Sequence, residues 1–307
     1  MAQPDLARVQ RDLIFDVGMH KGEDTDYYLK KGFRVVGVEA NPDLADECRR
    51  TFRAAIADGR LTIVEAAIID PARLSANEPT VTFYRNAALS VWGTTSEDWA
   101  TRNLRLGASS ETIQVKAVDF RDCLRTHGIP YYLKIDIEGA DRVCLESLLD
   151  FDARPEYVSI ESEKVSFRKL QEEIGLLVRL GYTSFQLVQQ AGTFALDQGT
   201  RAREGRSVAH VFPPGCSGPF GKDLPDTWMT SAALLRRYRG VFVLYRVFGD
   251  SSPLRHSGLG RRIIRRLERL TSRPAPGWYD THARHSSAQP LLAPSAPLSE
   301  PDPSARE

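Results

Sequence analysis

Apolar runs and mixed apolar–polar stretches alternate regularly along the first part of the chain. Leu13 to Val17 is a short, mostly apolar run ended by Gly18, which predicts a buried strand meeting a tight turn. Glu23 to Lys31 predicts a helix stopped by Gly32. Arg34 to Glu39, with Val35, Val36 and Val38, predicts a second strand. Asn41-Pro42 marks the next helix start. Asn41 can accept from first-turn N–H groups, and Pro42 lacks only a donor that the first helical position does not use. That helix is expected to reach about Asp58, and Leu61 to Ile69 to form a third strand. Strand–helix–strand–helix–strand with short connections argues for a parallel sheet with right-handed crossovers.

The pattern continues less regularly. Thr80 to Tyr84 and Thr112 to Val118 predict extra strands around an irregular segment. Tyr131 to Ile137 predicts another buried strand, followed by a helix from Gly139 to Leu149. Tyr157 to Glu161 is the next strand, Val165 to Leu180 a helix ended by Gly181, and Ser184 to Val188 a strand. Asp197 to Asp226 is rich in Gly and Pro and contains the loop Pro213 to Pro219. A stretch of that length inside a domain belongs to a lid or binding loop. Val241 to Phe248 predicts a late strand, and Leu254 to Leu270 a basic amphipathic helix. From about Ser286 the Pro-, Ser- and Ala-rich tail is expected to be disordered.

Composition narrows the class. Apolar residues make up 42% and charged residues 26%, ordinary values for a globular protein. A net charge of +1 gives no general attraction to nucleic acid, and no nucleic-acid partner is expected. No apolar run is long enough for a signal peptide or a transmembrane segment, so a cytoplasmic protein is expected. Cys48, Cys123, Cys144 and Cys216 are scattered without metal-ligand spacing and suit small packed thiols in a reducing compartment.

Three motifs carry chemistry. Asp16-Val17-Gly18-Met19-His20-Lys21-Gly22 follows a strand and opens a helix, and Gly18 lets backbone approach a ligand closely. A dinucleotide turn would need a glycine where His20 stands. Glu39 lies 21 residues after Gly18, at the end of the second strand, where an acid accepts from ribose hydroxyls. Lys134-Ile135-Asp136-Ile137-Glu138-Gly139 brings two acids to the carboxyl end of a central strand, where open α/β sheets bind ligands.

Together with Glu39-Ala40-Asn41-Pro42, these residues resemble the FkbM-type methyltransferases over roughly residues 12 to 190. The resemblance implies a Rossmann-like, seven-strand, mostly parallel class I methyltransferase sheet with a C-terminal extension. It also implies S-adenosylmethionine (SAM) as methyl donor and O-methylation of a sugar or other natural-product hydroxyl. Asp16, Gly18 and Gly22, with Met19 and His20 in the same turn, would line the methionine end. Glu39 would hold ribose, Ala40 and Asn41 would lie near the adenine edge with Ala66 or Ala67, and Asp136 would sit beside the sulfonium. The expected division is a methyltransferase domain over 1–250, a basic helix and C-terminal segment over 251–285, and a tail over 286–307.

A hydroxyl acceptor needs a base, and the candidates are Asp136, Glu138, Glu161, His210 and His282. Asp280 and His282 are a candidate orienting couple, and Trp278 a candidate pin for the C-terminal segment. Ser90-Val91-Trp92-Gly93-Thr94 and Trp99 are candidate walls for a small-molecule acceptor. Asp136 and nearby acids suit Mg²⁺, but no third ligand is evident and no metal is assigned. Arg261, Arg262, Arg265, Arg266 and Arg269 make a basic helix face suited to weak contact with an acidic surface. Two alternatives stand beside the methyltransferase: an NAD-dependent oxidoreductase, and a non-catalytic SAM-binding or interaction protein.

Overall fold

The computed structural model describes residues 4–74, 79–86, 93–105, 107–137, 139–163, 166–190, 194–197, 201–248, 257–271 and 278–288. Strands β1 (Val9–Val17), β2 (Arg34–Glu39) and β3 (Leu61–Glu65) pair in parallel. They are joined by α1 (Glu23–Lys30), then α2 (Pro42–Thr51) and α3 (Arg53–Ala57). Leu13, Phe15 and Val17 enter one apolar core and Ile14 the core on the opposite face. Burial on both faces is why this segment reads as a run instead of an alternation. Each such side chain contributes about 1.5–3 kcal/mol by leaving water.

Two predicted elements are split. The helix expected to reach Asp58 breaks at Phe52, whose φ/ψ of −102/23 is not helical. The strand expected from Leu61 to Ile69 breaks at Ala66, whose N–H donates to the Glu39 carbonyl at 3.0 Å. Beyond that break β4 (Ala67–Ile68) pairs with β6 (Ser110–Val118), which also pairs with β5 (Thr80–Asn86) in a separate three-stranded sheet. Helices α4 (Glu97–Arg105) and α5 (Phe120–His127) flank β6 in sequence.

The main sheet continues through β7 (Ile129–Ile135), helix α6 (Asp141–Ser147), β8 (Tyr157–Glu161), α7 (Phe167–Arg179) and β9 (Tyr182–Gln189). Its last strand in sequence among the described residues, β12 (Tyr279–His285), lies between β8 and β9 and is antiparallel to both. The order is β3-β2-β1-β7-β8-β12-β9, seven strands that are parallel except for β12. The boundary expected at residue 250 is therefore corrected: the sheet is completed by residues from beyond it.

The strand expected over Val241 to Phe248 is also corrected. Those residues end α8 (Ser231–Phe248). Its buried Leu234, Tyr238 and Val241 are spaced four and three apart, one face of a helix. The basic helix is present as α9 (Gly258–Thr271). Between β9 and α8, the Gly/Pro-rich stretch carries a hairpin of β10 (Phe194–Leu196) and β11 (His210–Phe212). It is fastened to the sheet by buried Phe220, whose ring stacks on Tyr132 at 4.6 Å. Among the described residues, no helix is long and apolar enough to cross a membrane.

Candidate active site

The sheet order turns outward in both directions from the β1–β7 pair. Loops leaving two such strands diverge, which opens a crevice beyond their carboxyl ends. A cleft of about 1100 Å³, its open mouth included, lies there and is lined by Gly18, Glu39 and Asp136 among others.

Backbone sterics fix its floor. Gly18 has φ +82, and a Cβ on it would lie 1.9 Å from the carbonyl oxygen of Asp136. Only glycine permits this approach. The Gly18 N–H donates to Val38 O and the Asp136 N–H to Val17 O, both at 2.9 Å. The tips of β1, β2 and β7 are thereby tied together.

Glu39 is buried at the cleft edge. Its Oε2 accepts the His20 N–H at 2.9 Å and its Oε1 the Asn41 N–H at 2.8 Å. Burial pushes the carboxyl up to about 7, against the pull of these two donors. His20 lines the cleft at φ 52, and its Nδ1 lies 3.1 Å from Glu23 Oε1. Met19, Ala40, Ala66 and Ala67 also line the cleft, with Leu44 and Ile68 extending an apolar wall.

Three expected cofactor residues support the cleft without lining it. Asp16 is fully buried, accepts from Thr25 Oγ1 at 2.6 Å and lies 3.0 Å from Lys134 Nζ. Gly22 starts α1 at φ +81, and its Cα faces the Phe52 ring so closely that a Cβ would lie 2.3 Å away. Asn41 caps α2 by accepting from the Asp43 N–H at 3.1 Å.

Lys134 and Asp24 line the cleft and were not among the sequence candidates. Lys134 donates to the Gly18 carbonyl at 2.8 Å and lies 4.0 Å from Asp24 Oδ2. Burial pulls its ammonium down, but Asp16, Asp136 and Asp24 outweigh that and hold it well above its ordinary value. A lysine inside the apolar run Tyr131 to Ile137 was the available signal, since a buried charge must be paired. Asp24 carries no local signal of this kind.

Of the candidate bases, Asp136 lines the cleft. Glu138 lies outside the described residues, as do Ser90, Val91 and Trp92. Glu161 is half-buried at the end of β8, opposite Asp280, and is not among the lining residues. His282 is a correction. It is buried in β12, 2% exposed, away from the lining, and burial alone lowers its pKa to about 3. Asp280 bonds to Gln190 and Ser217, so the expected couple with His282 is not what holds it. His210 sits on β11 with Nδ1 3.7 Å from the Asp26 carboxylate, also off the cleft. Trp99 packs on Gly139 and under the Arg102 guanidinium, not on the cleft wall.

The stretch expected to be a lid or binding loop reaches the cleft, where Pro214, Gly215 and Cys216 line one side. Ser217 anchors it from behind, donating its N–H to Asp24 Oδ2 and its hydroxyl to Asp280 Oδ2, each at 3.0 Å. Phe83, Gly93, Thr95 and Ala140 line the remaining side. Among the described residues, no group of three or more His, Cys, Asp or Glu is placed to hold a metal ion.

The geometry meets several comparisons. No curated protein matches the chain. The C-terminal domain of precorrin-6Y C5,15-methyltransferase from Rhodobacter capsulatus is similar in structure, with 14% identity and a TM-score of 0.34 over 67% of this chain and 79% of that one. An O-methyltransferase from Bacillus cereus in complex with SAH is similar with 14% identity and a TM-score of 0.32, over 59% of this chain and 68% of that one. The model of the methyltransferase FkbM domain matches residues 16–184, a span that contains Gly18, Glu39 and Asp136. The chain belongs to the methyltransferase FkbM domain family.

Proposed function

We propose that the cleft binds SAM and that the protein methylates a hydroxyl of a sugar or other small acceptor. The observation that supports this most is the convergence of Gly18, Glu39 and Asp136 on one cleft. The donor set suits an adenosyl group. Each Glu39 oxygen accepts one backbone N–H and keeps capacity for a ribose hydroxyl. Ala66, Ala67, Ile68 and Leu44 offer an apolar slot for a purine. Bare backbone at Gly18, with acids nearby, suits a charged amino-acid end and a sulfonium.

The bound donor supplies an activated methyl group with a good leaving group. The residues of this chain have to align the acceptor, exclude water and take a proton. Alignment is worth several kcal/mol in reactions of this kind. Pro214, Gly215 and Cys216 cover one side, and Phe83, Gly93 and Thr95 bound the side left for an acceptor. Asp136 is the assigned base, receiving the hydroxyl proton as oxygen attacks the methyl carbon. A positioned base contributes roughly 10²–10⁴-fold.

No observation favours the oxidoreductase alternative, since His20 occupies the position where a pyrophosphate turn needs glycine. Calorimetry with S-adenosylhomocysteine (SAH) and NAD⁺, followed by transfer of a labelled methyl to sugar acceptors, tests the reading. SAH should bind, NAD⁺ should not, and the label should reside on oxygen. NAD⁺ binding without SAH binding would overturn the donor, and label on nitrogen or carbon would overturn the acceptor class.

A further inference from the structure

Of the 41 basic and 40 acidic side chains, ten arginines but only two acids, Asp250 and Glu268, fall between Ser231 and Thr271. That stretch carries +8 while the whole chain carries +1, so the remainder is net acidic. Its two helices sort their residues by face. On α8 the buried Leu234, Tyr238 and Val241 enter the core. Arg236, Arg239, Val243 and Arg246 recur at intervals of three and four on the other side and are exposed, Val243 by 61%. On α9 Arg262, Arg265, Arg266 and Arg269 recur at the same spacing and are exposed. Ile263 borders them and is 39% exposed. Neither it nor Ile264 enters the apolar clusters formed among the described residues.

Exposed arginines elsewhere are paired with acids. Arg34 lies 2.6 Å from Asp12, Arg49 2.6 Å from Glu65 and Arg142 2.7 Å from Glu146. Among the described residues, no carboxylate pairs with Arg262, Arg265, Arg266 or Arg269. Like charges three and four residues apart on one helix repel, and an anionic surface relieves that repulsion. Every base in the stretch is arginine, whose planar fork matches phosphate oxygens. Nucleic acid would satisfy the charges only. A bilayer interface satisfies both kinds of residue, since phosphate headgroups meet the arginines and the acyl boundary takes the apolar side chains beside them. The 14 residues of α9 rise about 21 Å, short of the roughly 30 Å hydrocarbon core, so the helix can lie in a membrane surface but not span it.

We propose that α9 docks on an anionic membrane surface, with Arg262, Arg265, Arg266 and Arg269 on lipid phosphates and Ile263 sunk to the headgroup–acyl boundary. In the chain α9 stands between α8, whose inner face packs in the core, and β12, which lies inside the main sheet. Attachment at α9 therefore holds the whole fold at the surface. The net acidic remainder is repelled by the same lipids, which orients the molecule as it docks. The docking is independent of the donor and the acceptor assigned to the cleft.

Co-sedimentation of the full chain with vesicles tests this, using phosphatidylcholine alone and an equal mixture of phosphatidylcholine and phosphatidylglycerol. The native protein should bind the mixed vesicles roughly tenfold or more tightly than the neutral ones at low salt, and high salt should remove the difference. Arg262→Gln, Arg265→Gln, Arg266→Gln and Arg269→Gln combined should cost roughly tenfold or more in affinity for the mixed vesicles without lowering the melting temperature. Ile263→Ser should weaken that binding about fivefold, as the loss of apolar surface from the interface requires. Equal affinity for the two vesicles, full binding by the four-arginine variant, or binding untouched by Ile263→Ser would overturn the proposal. Tighter binding to a DNA duplex of mixed sequence than to the mixed vesicles, at the same salt, would assign the face to nucleic acid and overturn it as well. If the four-arginine variant does not fold, the native protein's preference between the two vesicles and the effect of Ile263→Ser decide the matter.

Discussion

At the scale of single residues, Glu39 couples the cleft to pH. Its carboxyl is raised to about 7 by burial, with the His20 N–H, the Asn41 N–H and the charges of His20 and Lys134 pulling against that. Ribose hydroxyls need the ionised form as acceptor. SAH affinity should therefore rise about tenfold between pH 6 and pH 8, and Glu39→Gln should bind more weakly and lose most of that rise. Asp24, raised to about 6 chiefly by burial, steepens only the acid end. Calorimetry across this range checks it, and a flat native profile would remove Glu39 from the ligand. The raised value also bears on stability. The folded form holds its proton more tightly, so Glu39 costs stability as pH climbs from 4.5 through about 7.

His282 runs the opposite way. Its folded pKa of about 3 lies below the ordinary 6.5, so its contribution is intact above 6.5 and is lost as pH falls toward 3. His282→Leu should gain about 2 kcal/mol on the native protein between pH 7 and pH 5 while turnover stays unchanged. Melts at the two pH values and a turnover assay decide it, and lost turnover would return His282 to the chemistry. Asp136→Asn should cut turnover roughly 10²–10⁴-fold with SAH binding partly kept. Single-turnover kinetics together with binding separate the two effects, and full turnover would reject the assigned base.

At the scale of elements, β12 is the unexpected part of the fold. It fills the gap between β8 and β9, with Ala283, Thr281 and Asp280 buried. A chain stopped after Thr271 would leave both neighbours with unpaired edges. It should lose the cooperative melt followed by circular dichroism, and a native-like transition would show that β12 is dispensable. Its sequence, Tyr-Asp-Thr-His-Ala-Arg-His, hid it: polar residues dominate, and burial comes from paired partners far away in the chain. The strands β1, β2 and β7 were legible because apolar runs end in a glycine or an acid at the cleft. Val241 to Phe248 misled in the other direction. Branched and aromatic residues suggest a strand, while the helical spacing from Leu234 onward decides the element. Gly18, Glu39 and Asp136 were legible at the site because each ends or follows a strand. The Asp24–Ser217–Asp280 link was not, since it joins residues 193 and 63 positions apart through side-chain geometry alone.

At the scale of the whole molecule, the order β3-β2-β1-β7-β8-β12-β9 decides where a ligand can sit. Connections diverge on either side of β1 and β7, and the segments after them supply the floor, edge and cover of one cleft. A ligand held by so many separate segments should stabilise the fold as a unit. Saturating SAH should raise the melting temperature by on the order of 5 °C, and NAD⁺ should leave it in place. The most direct test is a structure determined with SAH bound. Both ribose hydroxyls should lie on the Glu39 carboxylate, the purine against Ala66 and Ala67, and the sulfur beside Asp136. SAH seated elsewhere, with Glu39 still turned only to its backbone donors, would contradict it.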